Sequence, residues 1–248
     1  SDPQTTTSLQ IPAFPAGPLQ VQAVDPQALP SSFDWRTQGK LTPIRDQKSC
    51  GSCWAFGIVG VLESAIKVQL NGADNDLSEQ YLVNCNDYGD NCSGGWWSSH
   101  DFHLNRYIAP QTAAGSVTEA QLPYTATNGT CVANYDKGYK LTEWHYINYS
   151  VPDEAAIKQA IMDYGPVGVA VCVGDAFANY RSGVFATNET CANDVNHAVI
   201  LVGWDDSTES WIMRNSWDTW WGESGYMRIH YGTSKIGYYA NYVSVQTG

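Results

Sequence analysis

Basic residues are scarce in this chain. Thirteen Lys and Arg face twenty-five Asp and Glu, a formal net charge of −12, so no basic stripe exists to neutralise a phosphate backbone and nucleic acid is excluded as a natural partner. Charge of either sign is thin, 15% of residues, and no apolar run approaches the ~20 residues of a membrane-spanning helix. The start of the chain has neither a basic nor an apolar targeting region, which reads as a mature or processed soluble chain. Aromatic residues, by contrast, are plentiful. Ten Trp and fifteen Tyr stand among 43% apolar residues over 248 positions, enough for one large domain or two lobes around a sizeable core and too many for disorder over most of the length.

Residues 1–30 hold six of the eleven prolines and only two charges, Asp2 and Asp25, which predicts an extended, polyproline-like arm. From Cys53 to Gln69 the apolar residues Ala55, Ile58, Val59, Leu62, Ala65 and Ile66 fall at helical spacing, predicting a long buried helix with Cys53 in its first turn. A second helix is expected after Ser78, a capping residue followed by the acidic Glu79. The stretch 84–95 is rich in Gly and Cys, and a short helix through His103 and Tyr107 follows Trp96 and Trp97. A further helix is expected from the cap Asp153 to Tyr164, stopped by Gly165-Pro166. The period then changes to two. Val167, Val169, Val171 and Val173 alternate, as do Val195, His197, Val199 and Leu201, and 210–216 and 225–231 are rich in aromatic and β-branched residues. The class is α+β: after an arm over 1–28 come a helical lobe over 29–143 and an antiparallel, barrel-like β lobe over 144–248, with a cleft between them.

Seven cysteines, at 50, 53, 85, 92, 131, 172 and 191, leave one thiol over once three bridges form. An unbridged Cys is often an inert buried one. In Cys50-Gly-Ser-Cys53-Trp54, however, the second Cys opens a helix, where exposed N–H groups favour thiolate. A CxxC also fits a zinc half-site or a redox pair, but with no second CxxC or CxxH the zinc reading fails on ligand count, and neither metal nor cofactor is expected. A thiolate nucleophile needs a proton acceptor brought near by folding. Among five histidines, His100, His103, His145 and His230 read as structural or surface residues. His197 lies in the apolar run Asn196-His197-Ala198-Val199, where an imidazole is costly without a partner. Asn215, in Arg214-Asn215-Ser216-Trp217, offers a side-chain oxygen that can fix its tautomer.

With these residues in place, the chain resembles the papain-like cysteine peptidases over residues 29–241. The resemblance is carried by Phe33-Asp34-Trp35-Arg36, by Gln47 to Phe56 (QKSCGSCWAF), by Leu77-Ser78-Glu79-Gln80, by Cys92-Ser93-Gly94-Gly95, by Asn196-His197-Ala198, and by Asn215-Ser216-Trp217 through Trp221-Gly222-Glu223. It implies Cys53 as nucleophile, His197 as general acid and base, Asn215 as its orienter, Gln47 as oxyanion donor with the Cys53 N–H, and Trp217 as the indole shielding the His–Asn bond. His197 and Asn215 lie 144 and 162 residues after Cys53, the second somewhat beyond the family's usual spacing, so extra length in loops is expected. The resemblance also implies a peptide-binding surface at Gly94 and Gly95. Beside it Trp96, Trp97, Ala170, Val195 and Ala198, with Asn196, would wall an apolar pocket for the side chain two residues before the cut, with Asn241 near its floor. One of the two indoles is alternatively core packing.

Family-like bridges would join Cys50 to Cys92 and Cys85 to Cys131. No Cys stands near Ile236 to Tyr239, where the family's usual partner for a Cys ahead of the catalytic His lies, so Cys172–Cys191 is expected instead. The implied function is cysteine endopeptidase action on polypeptides, since no insertion with paired histidines follows Gly95. Alternatives are a catalytically silent homologue or a secreted carbohydrate-binding protein. A monomer in a secreted or lysosome/vacuole-like acidic setting is expected, and sequons at Asn91, Asn128, Asn148 and Asn188 leave glycosylation open. The arm, held through Leu9, Ile11, Phe14, Leu19 and Val21, is either a short pro-segment over the Gly94-Gly95 cleft or a strap behind the second lobe.

Overall fold

The structure is a computed structural model; residues 9–12, 19 and 24–247 are described. Of the arm's candidate contacts, Phe14 and Val21 lie outside them. The elements in order are β1 (Ser32–Asp34), α1 (Cys53–Gln69), α2 (Glu79–Asn84), α3 (Asp101–Leu104), β2 (Tyr139–Tyr146), α4 (Glu154–Tyr164), β3 (Val167–Val171), α5 (Asp175–Ala178), β4 (Val184–Phe185), β5 (His197–Asp205), β6 (Ser210–Arg214), β7 (Tyr226–His230) and β8 (Tyr238–Thr247).

Helix α1 is buried on every side from Cys53 to Lys67, the mark of a helix running through a core rather than over it. It packs on β5 and β8. One apolar cluster surrounds it, with Trp54, Ile58, Leu62, Tyr81 and Trp97. The other lies between α4 and the sheet, with Ile157, Ile161, Val169, Trp204 and Trp211. Ser78 caps α2 by accepting from Tyr81 N at 3.0 Å, and Asp153 caps α4 by accepting from Ala156 N at 3.0 Å. The helix expected through Tyr107 is shorter. A 3-10 turn over Trp97–His100 leads into α3, and the chain leaves helical geometry at Asn105, whose N–H, like that of Arg106, folds back onto Asp101 O.

The strands form one sheet in the order β2-β8-β3-β5-β6-β7-β4, with β1 added against β5. The antiparallel, barrel-like β lobe is present as an unclosed sheet, antiparallel in its strand pairings except for β4, which runs parallel to β7. The edge strand β4 has only two residues, and the opposite edge, β2, packs against α3. Strand β2 spans the lobe boundary expected at 143/144. The three disulfides are Cys50–Cys92, Cys85–Cys131 and Cys172–Cys191, and Cys53 stands outside them. Among the described residues no helix is long and apolar enough to cross a membrane.

Candidate active site

Cys53 is the first residue of α1 and fully buried. The helix N-terminus brings the positive end of its dipole to this position, an electrostatic setting that favours a thiolate. His197 opens β5, and its Nε2 donates to Asn215 Oδ1 at 2.8 Å, so Nδ1 is the nitrogen left to take a proton. The sheet register explains the pairing. Ile200 stands opposite Arg214, which puts Asn215 across from Val199, on the same face as His197. Asn215 Oδ1 also accepts from Ser216 N at 2.9 Å, which locks the amide's orientation. The Trp217 indole lies 4.9 Å from the imidazole and is braced by Phe177 and Trp221. Burial pushes the His197 pKa down to about 4, opposed by the hydrogen bond to Asn215.

Gln47 is fully buried and tied down by both main chain and side chain. Its N–H donates to Ser216 O at 2.9 Å, its Oε1 accepts from Ser216 Oγ at 2.7 Å, and its Nε2 donates to Cys50 O at 3.1 Å. Tyr124 OH donates to Gln47 O at 2.7 Å and lies 2.7 Å from Ser52 Oγ. Ser216 falls inside a quoted motif but carried no assigned role, and nothing in the sequence signalled Tyr124.

Gly94 and Gly95 lie against residues 9 and 10 of the arm. A Cβ on Gly95 would fall 2.4 Å from Trp54 Cδ2, so only glycine lets the main chain lie over that indole. Leu9 of the arm pairs in parallel with Gly95, donating from its N–H to Asn196 O at 3.0 Å, and Gln10 donates to Gly95 O at 3.0 Å and through Nε2 to Ser93 O at 2.9 Å. Ala170 and Ala198 are paired neighbours on β3 and β5, and both are buried with Val195. Trp96 is anchored by Nε1 to Tyr146 OH at 2.8 Å, whereas Trp97 is wholly interior. Asn241 is fully buried, its amide donating to Gly168 O and Tyr239 O. Of the other histidines, His100 and His103 are interior, His145 pairs with Glu143, and His230 lies near Glu209 at the surface.

A thiol at a helix start, an imidazole fixed by an amide and a pinned amide are the groups that nucleophilic acyl transfer through sulfur calls for. Comparison with known proteins agrees with that chemistry. Residues 29–247 match the model of the papain family cysteine proteases. A senescence-specific cysteine protease of Arabidopsis thaliana is 40% identical over 218 residues, covering 86% of this chain and 60% of its own length. A cathepsin L-like proteinase of Fasciola hepatica is 37% identical, with 82% and 61% covered. The structure of a digestive procathepsin L proteinase from the larval midgut of Tenebrio molitor superposes with a TM-score of 0.84 at 30% identity, over 98% of this chain and 79% of that one. The chain belongs to the papain family of cysteine proteases. It spans about 60% of the length of these curated relatives.

Proposed function

We propose that the protein is a cysteine endopeptidase working through a thiolate–imidazolium pair and a covalent acyl-enzyme. The observation that carries this is the buried His197–Asn215 bond at 2.8 Å, together with a Cys53 at the start of α1 kept out of the disulfides. Cys53 Sγ attacks the substrate carbonyl carbon, and the carbonyl oxygen takes its charge against the Cys53 N–H and the Gln47 amide. His197 gives its proton to the leaving amine, then activates the water that releases the acid. A silent homologue or a carbohydrate-binding protein would have no use for all four groups. Three disulfides fit an oxidising secreted or lysosome/vacuole-like setting. Reaction with an epoxide should label Cys53, and Cys53→Ala or His197→Ala should abolish peptide hydrolysis. Asn215→Ala should leave a rate reduced by ~10²–10⁴ but measurable, because Asn215 orients the base without exchanging protons. Full activity of either of the first two variants would end the assignment.

The arm is read as a short pro-segment rather than a rear strap. This is supported by its backbone bonds to Asn196 and Gly95, which occupy groups a peptide substrate would use. Under it, Cys53 and His197 are both fully buried, and the depressed His197 pKa means the imidazolium is scarce above pH ~4. Removing residues 1–26 should hydrate the ring, raise its pKa, and speed iodoacetamide labelling of Cys53 at pH 5–6. Unchanged labelling and unchanged kcat/KM after truncation would rule out a blocking role.

A further inference from the structure

Four Asn-x-Ser/Thr triplets, at Asn91, Asn128, Asn148 and Asn188, take no part in the chemistry of Cys53, and the fold treats them in two opposite ways. Asn148 is interior, at 7% exposure, and its Nδ2 donates to Gly237 O at 2.9 Å and to Tyr149 O at 3.1 Å while its Oδ1 accepts from Asp153 N. Asn91 is half-buried in a tight turn. Its Nδ2 donates to Gly89 O at 3.0 Å, its Oδ1 accepts from Ser93 N at 2.7 Å, and its main chain pairs in both directions with Gly94. In both residues the amide nitrogen is committed to a main-chain carbonyl.

Asn128 and Asn188 are held the other way round, and both are exposed. Asn128 Oδ1 accepts from Cys92 N at 2.8 Å, and Asn188 Oδ1 accepts from Ser234 N at 2.9 Å. A main-chain N–H can be met only by the amide oxygen, so the orientation of each side chain is fixed, and neither Nδ2 has a hydrogen-bond partner among the described residues. Their loops are anchored without that nitrogen. Gln80 Nε2 donates to Thr127 O at 2.8 Å, Glu189 N donates to Ser234 Oγ at 2.9 Å, and the Glu189 carboxylate accepts from the N–H groups of Gly174, Ala176 and Phe177. Thr130 and Thr190, the third residues of the two triplets, are exposed as well.

We infer that Asn128 and Asn188 are N-glycan attachment sites and that Asn91 and Asn148 are not. Transfer from a lipid-linked oligosaccharyl diphosphate forms a bond between Nδ2 and the anomeric carbon of the sugar, breaks that carbon's bond to the phosphate oxygen, and releases one Nδ2 proton and the lipid diphosphate. The product amide keeps its oxygen as an acceptor, so the bonds from Cys92 and Ser234 survive the modification. On Asn148 the same product would carry a bulky polar group into a packed interior, and on Asn91 it would sit against the Gly89 carbonyl that the nitrogen now serves. The inference goes beyond the catalytic reading and rests only on the oxidising secretory setting that the three disulfides fit.

The test is the full chain secreted from cultured eukaryotic cells behind a cleavable signal sequence and then treated with a glycopeptide amidase, which hydrolyses each glycosylated Asn side chain to a carboxylate and so marks it in a peptide map. Conversion is expected at Asn128 and Asn188 and absent at Asn91 and Asn148. Thr130→Ala and Thr190→Ala, which leave each asparagine and its main-chain bond in place, should each lower the mass of the secreted protein by one glycan and leave epoxide labelling of Cys53 as in the wild type. An unconverted Asn128 or Asn188 in the wild type overturns the inference, and so does conversion of Asn91 or Asn148 in folded protein. A Cys53 that resists the epoxide in a chain glycosylated as expected would count against the peptidase reading and leave the two sites standing.

Discussion

Gln47 illustrates how much fixing one amide requires. A glutamine has three rotatable side-chain bonds, and an unfixed one would lose most of its value as an oxyanion donor through the entropy of ordering it during the reaction. Here the main chain is anchored to Ser216 and Tyr124, and the side-chain oxygen is taken by Ser216 Oγ, which determines where the Nε2 hydrogens point. Gln47→Ala should lower kcat/KM for peptides by ~10²–10³, the usual loss for one preorganised donor. It should leave iodoacetamide alkylation of Cys53 within a fewfold of the wild type, because that displacement builds no oxyanion. An equal loss in both reactions would mean that the residue holds the thiol in place rather than the transition state. Ser216→Ala should fall between Gln47→Ala and the wild type, since it frees the amide without removing it.

At the scale of elements, the start of α2 carries an acid in an unusual place. Glu79 is buried at the first turn, where the helix favours negative charge. Desolvation outweighs that benefit, and together with the neighbouring Glu63 carboxylate it holds the Glu79 pKa well above the usual range; its own N–H and Arg45 oppose this. Glu63 is itself committed, accepting from Thr42 Oγ1 at 2.6 Å and from Leu77 N at 2.9 Å, and Arg214 donates to Thr42 O and Pro43 O close by. A carboxyl whose folded pKa is raised stabilises the fold below its unfolded pKa, and that contribution is lost as pH rises through the folded value. Glu79→Gln should therefore raise the melting temperature at pH 8, by about 2–4 °C for each kcal/mol recovered, and change little at pH 4. A lower melting temperature at both pH values would show that the carboxylate is needed in its ionised form.

At the scale of the whole molecule, two interior histidines work in the opposite direction. Burial pushes the pKa of His100 down to about 4, opposed by its bond to Asn241, and that of His103 down to about 3, with His100 adding to the lowering. The native state keeps both rings neutral while the unfolded chain takes up protons near pH 6.5. Their burial therefore costs nothing above pH ~6.5, and stability is lost as pH falls from there toward 4 and 3, by up to roughly 3 kcal/mol for His100 and roughly 5 kcal/mol for His103. His103, stacked 6.5 Å from Tyr81, is the better one to change, since His100 also holds Asn241 through a 2.9 Å hydrogen bond. His103→Gln should shrink the drop in melting temperature between pH 7 and pH 4 relative to the wild type. An unchanged drop would place the acid sensitivity elsewhere.

The chemistry was written in short local patterns. Helix α1 runs over the residues its apolar spacing marked, Ser78 and Asp153 cap the helices they precede, and β3, β5, β6 and β7 fall on the runs rich in β-branched and aromatic residues, the side chains that suit a pleated, buried surface. Other elements were illegible for local reasons. A register shift between Leu141 and Glu143 breaks the period of β2, and Tyr239, at φ +51, interrupts β8. Neither strand shows a clean alternation, and both are held by pairing with each other across nearly a hundred residues of sequence. The residue types of Cys53, His197, Asn215 and Gln47 were plain in the sequence, whereas the bonds that aim them depend on the β5–β6 register and on Ser216 and Tyr124, which no local pattern marks. Trp97 shows the same division. Its identity is one letter, but its burial is decided by two glycines, at 57 on a helix and 168 on a strand, that only the tertiary fold brings to the same ring.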